Sequence, residues 1–308
     1  MTLTELRYVV AIARHRHFAR AAEACFVSQP SLSIAIRKLE DELGVRLFER
    51  NRNEVIITPA GEAIVEQAQI VIREAERINE LAAATQDPLG TTLRLGVIYT
   101  VGPHLVPYLI PSLRKQAPNL SLIVRENFTD ALAGELLSGD IDIAIMSLPF
   151  QHPRLVSRPL YEEPFLAAVP LDHKLSRRKR ITTQLLDNER LLLLGARNCF
   201  RDQVLEICPN CISEPAAERD EIQTMLESSS LETICQMVAS GAGVTVLPAT
   251  IQLNETLRKQ LALIPFSRPE PTRTIAAFYR RGFARPELVN ALATAVQRSR
   301  LKGVRMTD

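Results

Sequence analysis

The chain has 308 residues, of which 46% are hydrophobic and 23% are charged, a balance that suits two or three domains with substantial cores. Its net charge is only +2, so nucleic-acid binding has to be inferred from local pattern. No apolar run approaches the roughly 18 residues of a membrane span, and no N-terminal segment has the layout of a signal peptide. An odd number of cysteines, five, argues against a secreted disulfide scaffold. We therefore expect a cytoplasmic protein that does not bind membranes.

The first sixty residues predict a helix, a short Ala-rich helix, a tight turn, a third helix and a basic hairpin. Ser28 is expected to cap the third helix, and Pro30 fits its first turn because the missing N–H is not needed there. This helix should run from about Gln29 to Glu42 and end at Gly44. The order is that of a winged helix-turn-helix, in which the second helix of the motif enters the major groove and the wing contacts backbone.

The exposed face of this helix begins with small, uncharged polar residues, whereas a merely solvated face more often carries Glu and Lys. A generic three-helix bundle with a solvated face is the alternative. The pattern favours DNA binding, because such side chains suit phosphates and base edges. The predicted DNA-contacting residues are Ser28, Gln29, Pro30, Ser31, Ser33, Arg37, Lys38 and Arg50.

Five motifs follow one another through residues 1–61: Phe18–Glu23, Val27–Ser33, Ile36–Glu40, Leu43–Arg50 and Thr58–Gly61. Together they resemble the N-terminal domain of LysR-type transcriptional regulators. The resemblance implies binding to double-stranded DNA at a pseudo-palindromic operator. It also implies a role as activator or repressor, with RNA polymerase as a further partner.

A single long helix is predicted after the hairpin. From Ile64 to Ala82, apolar residues recur at alternating steps of four and three, the pattern of a helix that pairs with another. We expect a homodimer through this helix and a homotetramer of such dimers. The alternative is an amphipathic helix packed on its own domain. The predicted domains are residues 1–58 for DNA binding, 59–90 for the linker helix and hinge, and 91–308 for regulation.

Residues 91–308 alternate between predicted strands and helices, which indicates an α/β domain with a mostly parallel sheet. Together with the stretch Val238–Pro248, the pattern resembles the two-subdomain, periplasmic-binding-protein-like effector domain of LysR-type regulators. A ligand would then bind in the cleft between the halves. Ser228, Ser229 and Ser230 either contact an anionic metabolite there or simply cap the next helix.

Two cysteines are predicted at opposite ends of one short helix. Leu191–Leu194 is expected to form a strand, and the helical spacing after Gly195 places Cys199 at the helix start and Cys208 at its end. Nine steps of a helix separate two Cα atoms by about 13 Å, whereas a disulfide needs about 7 Å or less. A bond between these cysteines would therefore require this segment to refold. The alternative is that both are inert packing residues.

Residues around Cys199 carry a more specific resemblance. The motifs Tyr99–Pro103, Glu126–Thr129, Cys199–Gln203 and Glu227–Thr233 resemble the peroxide-sensing OxyR branch of the LysR-type family. The resemblance implies that Cys199 reacts with hydrogen peroxide to a sulfenic acid, which Cys208 captures as a disulfide. It implies that Thr100 and Thr129 hold the peroxide and that Asp202 assists proton transfer.

Two alternatives stay open beside the peroxide-sensing reading. One is a regulator of the same architecture that responds to a metabolite, and the other is a thiol peroxidase with an accessory N-terminal domain. No phosphate loop or nucleophile elbow supports an enzyme, so none is predicted. We predict no cofactor and no metal, since the single C-x-x-C of Cys208 and Cys211 is weak evidence for zinc. Either of those two thiols would suit as the partner of Cys199, while Cys25 and Cys235 are expected to be packing residues.

The chain departs from the OxyR branch at Asn198 and Arg197, where the branch usually has histidine and glycine. Asparagine forms hydrogen bonds but does not titrate near neutral pH. We predict that Asn198→His changes the rate at which peroxide oxidises the protein. Stopped-flow rates that are indistinguishable between the two proteins would contradict this prediction.

Overall fold

The computed structural model describes residues 1–50, 55–84, 87, 89–187, 189–209 and 230–307. The chain divides into two compact units, Met1–Gln86 and Asp87–Asp308. No helix in these described ranges is long and apolar enough to cross a membrane.

The N-terminal unit contains the helix that the sequence predicts to contact DNA, here called the reading helix. Ser28 caps this helix, α3, by accepting a hydrogen bond from the backbone N–H of Ser31, and Gly44 ends it with a positive φ of 70°. The observed helix extends one residue beyond the predicted end, and both predicted caps are confirmed. The elements of the unit are α1 Leu3–His15, α2 Phe18–Ala24, α3 Gln29–Leu43, β1 Phe48–Arg50, β2 Val55–Ile57 and α4 Pro59–Ala84.

A buried carboxylate attaches α3 to the wing. Glu40 is only 7% exposed, and its Oε1 accepts hydrogen bonds from the backbone N–H groups of Leu47 (2.8 Å) and Phe48 (3.2 Å). Its Oε2 accepts a third from Arg46 (2.8 Å). These bonds hold the start of β1, which pairs antiparallel with β2, against the end of the reading helix. Residues 51–54 between the two strands lie outside the described residues.

The long helix α4 behaves differently in its two halves. Val65 and Ala68 are buried in the N-terminal unit, as the alternative of intradomain packing requires. Val71 and Ile78, further along the same seam, are 37% and 67% exposed. The second half therefore presents apolar surface that its own unit does not cover, as a pairing helix would.

The C-terminal unit is an α/β unit. Its strands are β3 Thr92–Ile98, β4 Ser121–Asn127, β5 Ile143–Ser147, β6 Leu155–Pro170, β7 Thr245–Pro248, β8 Leu261–Pro265, β9 Thr272–Arg280 and β10 Arg305–Met306. Its α-helices are α5 Gly102–Gln116, α6 Thr129–Ser138, α7 Cys199–Ile207, α8 Leu231–Ala239, α9 Glu255–Gln260 and α10 Pro286–Arg298.

The expectation of a mostly parallel sheet is wrong. Among the described strands, the pairs β3–β4 and β3–β5 are parallel, while β5–β9, β6–β9, β6–β7, β6–β8 and β6–β10 are antiparallel. The reason is that β6 is 16 residues long and serves two sheets. Its first part pairs with β9, and its last part pairs with β7 and β8.

The described residues of this unit form two hydrophobic cores, one built around β3, β5, β9 and α10 and one around the end of β6, α7, α8 and β7. The prediction of a strand at Leu191–Leu194 is wrong in detail. Leu191 forms only an isolated bridge with Val244. The side chain of Thr245 donates to the Leu192 carbonyl (2.8 Å), so this extended segment is joined to β7 partly through a hydroxyl.

A buried ion pair holds the first core together at the end away from the candidate site. The guanidinium of Arg285, 2% exposed, donates to Asp142 Oδ1 (2.6 Å) and to the Thr92 carbonyl (3.0 Å). The other carboxylate oxygen of Asp142 accepts from the backbone N–H of Arg94 (2.9 Å). The start of α10 is thus fixed to both β3 and β5.

We predict that Asp142→Ala lowers the free energy of unfolding by about 3–5 kcal/mol, because it leaves the buried charge of Arg285 uncompensated. Chemical denaturation monitored by circular dichroism measures the change. Lys174→Ala is the matched control, since Lys174 is 70% exposed in its ion pair with Glu189 and should cost less than about 1 kcal/mol. Equal losses for the two variants would refute the assigned importance of the buried pair.

Candidate functional site

The two cysteines singled out in the sequence lie at the ends of α7, as predicted. Cys199 is the first residue of the helix, is partly buried and is a free thiol. Cys208 is the C-terminal cap residue and is fully buried in the second core. The helix is continuous over nine residues. The obstacle to a direct bond, about 13 Å between Cα atoms, is therefore present in this state.

The carboxyl ends of three neighbouring strands meet beneath α7. Because β4, β3 and β5 are parallel, Thr129, Thr100 and Ser147 come to the same edge of the sheet. Gln203 of α7 reaches this edge, where its Nε2 donates to Ser147 Oγ (2.8 Å) and to the Leu148 carbonyl (3.0 Å). The helix that carries Cys199 is thus bonded to the strand ends that carry the candidate ligands.

Two contacts between guanidinium groups and aromatic rings locate Cys199 relative to the two threonines. The guanidinium of Arg197 lies 4.7 Å from the ring centre of Phe128, which directly precedes Thr129. The guanidinium of Arg273 lies 5.0 Å from the ring centre of Phe200, which directly follows Cys199. These contacts therefore place Cys199 beside the segments that carry both threonines. Arg197, one of the two departures from the OxyR branch, is itself part of this arrangement.

A buried polar network orients Thr100. Arg273, fully buried in β9, donates from Nη1 to Thr100 Oγ1 (2.9 Å) and from Nη2 to the Thr100 carbonyl (3.2 Å). Its Nε donates to Glu163 Oε2 (2.8 Å), and Glu163 Oε1 accepts from the backbone N–H of Thr250 (2.8 Å). Since the oxygen of Thr100 accepts from a cation, its own hydrogen is directed elsewhere. The hydroxyl is set up as a donor.

Thr129 supplies a second hydroxyl at this edge. Its Oγ1 is buried and has no hydrogen-bond partner among the described residues. A buried hydroxyl without a partner is costly, so such an atom is typical of a position that a small polar molecule completes.

A second polar layer lies beside the network. His104 is 5% exposed, and its Nε2, unpaired within the described residues, lies 4.0 Å from Glu232 Oε1. Burial lowers the pKa of His104, against the opposing effect of the Glu232 carboxylate. Burial, with Glu232 adding to it, raises the pKa of Glu126. A Cβ at Gly102 would fall 2.0 Å from Glu126 Oε1, so a larger residue at this position would displace the carboxylate.

Asp202 lies on α7 but is exposed, and the described contacts do not tie it to the threonines. Its role in proton transfer stays a prediction. Two buried residues that the sequence did not single out, Arg273 and Glu163, connect to Thr100 more directly. Their strands also carry other charged residues, Arg158 and Glu162 in β6 and Arg280 in β9, so no local pattern distinguishes this pair.

Cys208 is already in a disulfide in this state, whereas Cys199, Cys25 and Cys235 are free. Its sulfur lies 3.6 Å from Asp187 Oδ1 and 3.9 Å from the Thr183 carbonyl oxygen. The bridge between Cys199 and Cys208 is therefore not formed here. The prediction that Cys211 is an alternative partner falls outside the described residues, as do Ser228 and Ser229. Ser230 caps α8 by accepting from the N–H of Thr233, as the capping interpretation requires.

The remaining two cysteines are packing residues, as predicted. Cys25 packs partly buried against the core of the N-terminal unit, and Cys235 is fully buried in the second core of the other unit. Burial raises the pKa of the Cys25 thiol. Burial, reinforced by the nearby Glu232 carboxylate, raises the pKa of Cys235 to about 12.

The predicted DNA-contacting residues are mostly accessible, and whether they contact DNA stays a prediction. Ser33 is partly buried, and Arg50 is the last residue of β1. The hydroxyl of Ser28 is engaged in the cap, and its oxygen lies 2.8 Å from Ser31 Oγ. The exposed residues of the set are Ser28, Gln29, Pro30, Ser31, Arg37 and Lys38.

The fold and this site define a two-unit regulator of a known class. The family described as "Bacterial regulatory helix-turn-helix protein, lysR family" matches residues 3–62, and "LysR substrate binding domain" matches residues 86–300. The chain belongs to the LysR family of bacterial transcription regulators.

Its relatives are more specific. The chain is 40% identical over 303 residues to the "DNA-binding transcriptional dual regulator OxyR" of Escherichia coli K12, covering 98% of this chain and 97% of the relative. It is 41% identical over 282 residues to the "Hydrogen peroxide-inducible genes activator" of Dickeya chrysanthemi, covering 92% and 90%. A full-length Pseudomonas aeruginosa OxyR, as a cysteine-to-aspartate variant, superimposes with a TM-score of 0.77 at 44% identity over 100% of this chain and 98% of that one.

We predict that native protein reacted with a maleimide at about pH 8 is labelled at Cys199 and not at Cys235. With a pKa of about 12, only about one in ten thousand Cys235 thiols is ionised at that pH. Unfolding in urea removes the burial that raises this pKa, so Cys235 should then be labelled. Peptide mass analysis reads both states, and labelling of native Cys235 as fast as Cys199 would contradict the prediction.

Proposed function

We propose that the chain is a DNA-binding transcription regulator that senses hydrogen peroxide through oxidation of Cys199 and a following disulfide with Cys208. The observation that carries the proposal is the convergence of a free Cys199, a donor-oriented Thr100 and an unpartnered buried Thr129 at one edge of the sheet. The relatives named for hydrogen peroxide support it. A solved Corynebacterium glutamicum OxyR cysteine mutant, described as H2O2-bound, is 33% identical to this chain with a TM-score of 0.64 over 97% of it.

In the first step the Cys199 thiolate attacks one peroxide oxygen. An S–O bond forms and the O–O bond breaks, so that the sulfur is oxidised and the second oxygen leaves as hydroxide, which takes a proton to become water. Charge develops on the departing oxygen. Donors already aimed at that position lower the barrier without reorganising.

The two threonines supply those donors. Thr100 donates toward the peroxide because its oxygen is occupied by Arg273, and Thr129 completes its unmet hydrogen bond on the other oxygen. Glu163 holds Arg273 in place, so it acts on the reaction only through that arginine. Asp202 assists proton transfer from the exposed side of α7.

In the second step the Cys208 thiolate attacks the sulfenic sulfur. An S–S bond forms, the S–O bond breaks and hydroxide leaves as water after taking a proton, so two thiols and one peroxide give one disulfide and two waters. The thiol at Cys208 has to be free for this step, so the state with Cys208 already in a disulfide is not the peroxide-ready one. Since the bond cannot form across an intact α7, the helix has to unwind.

The DNA-binding unit acts as a homodimer through the exposed half of α4, and two dimers form the tetramer. A two-fold arrangement places two reading helices on two half-sites of a pseudo-palindromic operator. RNA polymerase is the further partner when the regulator activates transcription.

The chain works in the cytoplasm, where bacterial operators are. It is not an enzyme, because the reaction with peroxide oxidises the chain's own thiols and its outcome is a change in regulation.

The test uses full-length protein, fully reduced and then freed of reductant. Duplexes selected by the reduced protein from a random library serve as DNA. After peroxide at one equivalent, we expect a Cys199–Cys208 peptide bridge and an altered DNase footprint. Cys199→Ser should abolish both, and Cys208→Ser should stop at a sulfenic acid that dimedone traps. Cys235→Ser is the matched control and should respond like the wild type.

Three other outcomes would redirect the proposal. A bridge from Cys199 to Cys211, lost in Cys211→Ser, would replace the second cysteine. No bridge with an unchanged footprint would favour the metabolite-responsive regulator. Continuous peroxide consumption with a thiol reductant and no change in the footprint would favour a thiol peroxidase.

A further inference from the structure

An exposed aliphatic side chain stands in the middle of the reading helix. Ile34 of α3 is 69% exposed. The buried residues of this helix are Leu32, Ile36, Leu39 and Glu40. At about 100° of rotation per residue, Ile34 lies about 180° around the helix axis from their mean direction, the outermost position of the helix.

The surroundings of Ile34 are all polar or proline. On a helix surface the neighbours of a residue are those three and four positions away. For Ile34 these are Ser31 and Pro30 in the turn before it and Arg37 and Lys38 in the turn after it, and all four are exposed. These four also belong to the predicted DNA-contacting set. An apolar side chain is therefore surrounded by the residues expected to contact phosphates and bases.

Folding does not explain an isoleucine at this position. Its side chain contributes to none of the three hydrophobic cores of the described residues. A β-branched residue is also a poorer helix former than alanine at an exposed site. Only one group on the major-groove edge of the four base pairs is apolar, the 5-methyl group of thymine.

We propose that Ile34 is a specificity-determining residue that reads a thymine 5-methyl group in the major groove of each half-site. This inference rests on the DNA-binding part of the proposed function and is independent of peroxide sensing. The flanking cations Arg37 and Lys38 bind phosphates and fix the register of the helix without selecting a base. The isoleucine excludes water from the methyl group of one thymine, whereas the other bases offer it no apolar group. Removing one methyl group from such a contact should weaken binding about four-fold.

The test uses full-length wild type and Ile34→Ala with duplexes selected by the wild type from a random library. Each thymine of the selected half-site is replaced in turn by deoxyuridine, which lacks only the methyl group. We expect one position per half-site at which the replacement raises the wild-type Kd about four-fold. The same replacement should leave the Kd of Ile34→Ala unchanged. Leu171→Ala, which shortens another exposed aliphatic side chain (57% exposed), is the matched control and should behave as the wild type.

The inference is overturned if no deoxyuridine replacement weakens the wild type, or if a replacement weakens the wild type and Ile34→Ala equally. Ile34→Val, which keeps two methyl groups at this position, should retain part of the discrimination. Because Ile34 is exposed, both variants should melt with the wild type, and circular dichroism checks this. If the wild type selects no sequence at all, DNA reading itself has failed, and this result is distinct from failure of the methyl contact.

Discussion

The candidate site of the C-terminal unit depends on the contacts that hold the short helix α7 from two sides. Phe200 and Val204 are 2% exposed in the second core, while Arg197 and Gln203 reach the strand ends of the first. A nine-residue helix is too short to persist in water by itself, so these contacts maintain it. They also keep the cysteine at its start about 13 Å from the one at its end. A bridge between the two ends has to break contacts on both sides.

The candidate site combines a fixed part and a movable part. Thr100 and Thr129 lie just beyond the ends of parallel strands. Arg273 is hydrogen-bonded to Thr100 and to Glu163, and Glu163 accepts from Thr250, so these hydrogen bonds do not involve α7. The attacking sulfur, by contrast, is carried by α7. If α7 unwinds, the groups that position the peroxide stay where they are while the nucleophile leaves. Under the proposed function, oxidation then removes the sulfur from its own pocket, which limits further oxidation by a second peroxide.

Local signals in the sequence predicted local structure well. The caps of α3 and the position of both cysteines on α7 follow from hydrophobic spacing, N-cap residues and glycine, all of which act within a few residues. The Arg273–Glu163 pair joins positions 110 apart, and no spacing rule connects them. The prediction of strand direction failed for a related reason, because the order of strands and helices along the chain does not show which distant strands pair, such as β6 with β9. The roles of the two threonines came from resemblance alone and stay predictions.

The path from sensor to DNA has to pass through α4, the last element before the C-terminal unit. At 26 residues it spans about 39 Å. Val65 and Ala68 pack its first half into the N-terminal unit, so this half and the reading helix move together. Its second half keeps Ile78 in solvent, an exposure that pairing with a second copy would relieve. Under that pairing, a change in how two such helices cross alters the separation and angle of two reading helices without refolding either one. Oxidation would thus change the spacing of half-sites that the dimer prefers.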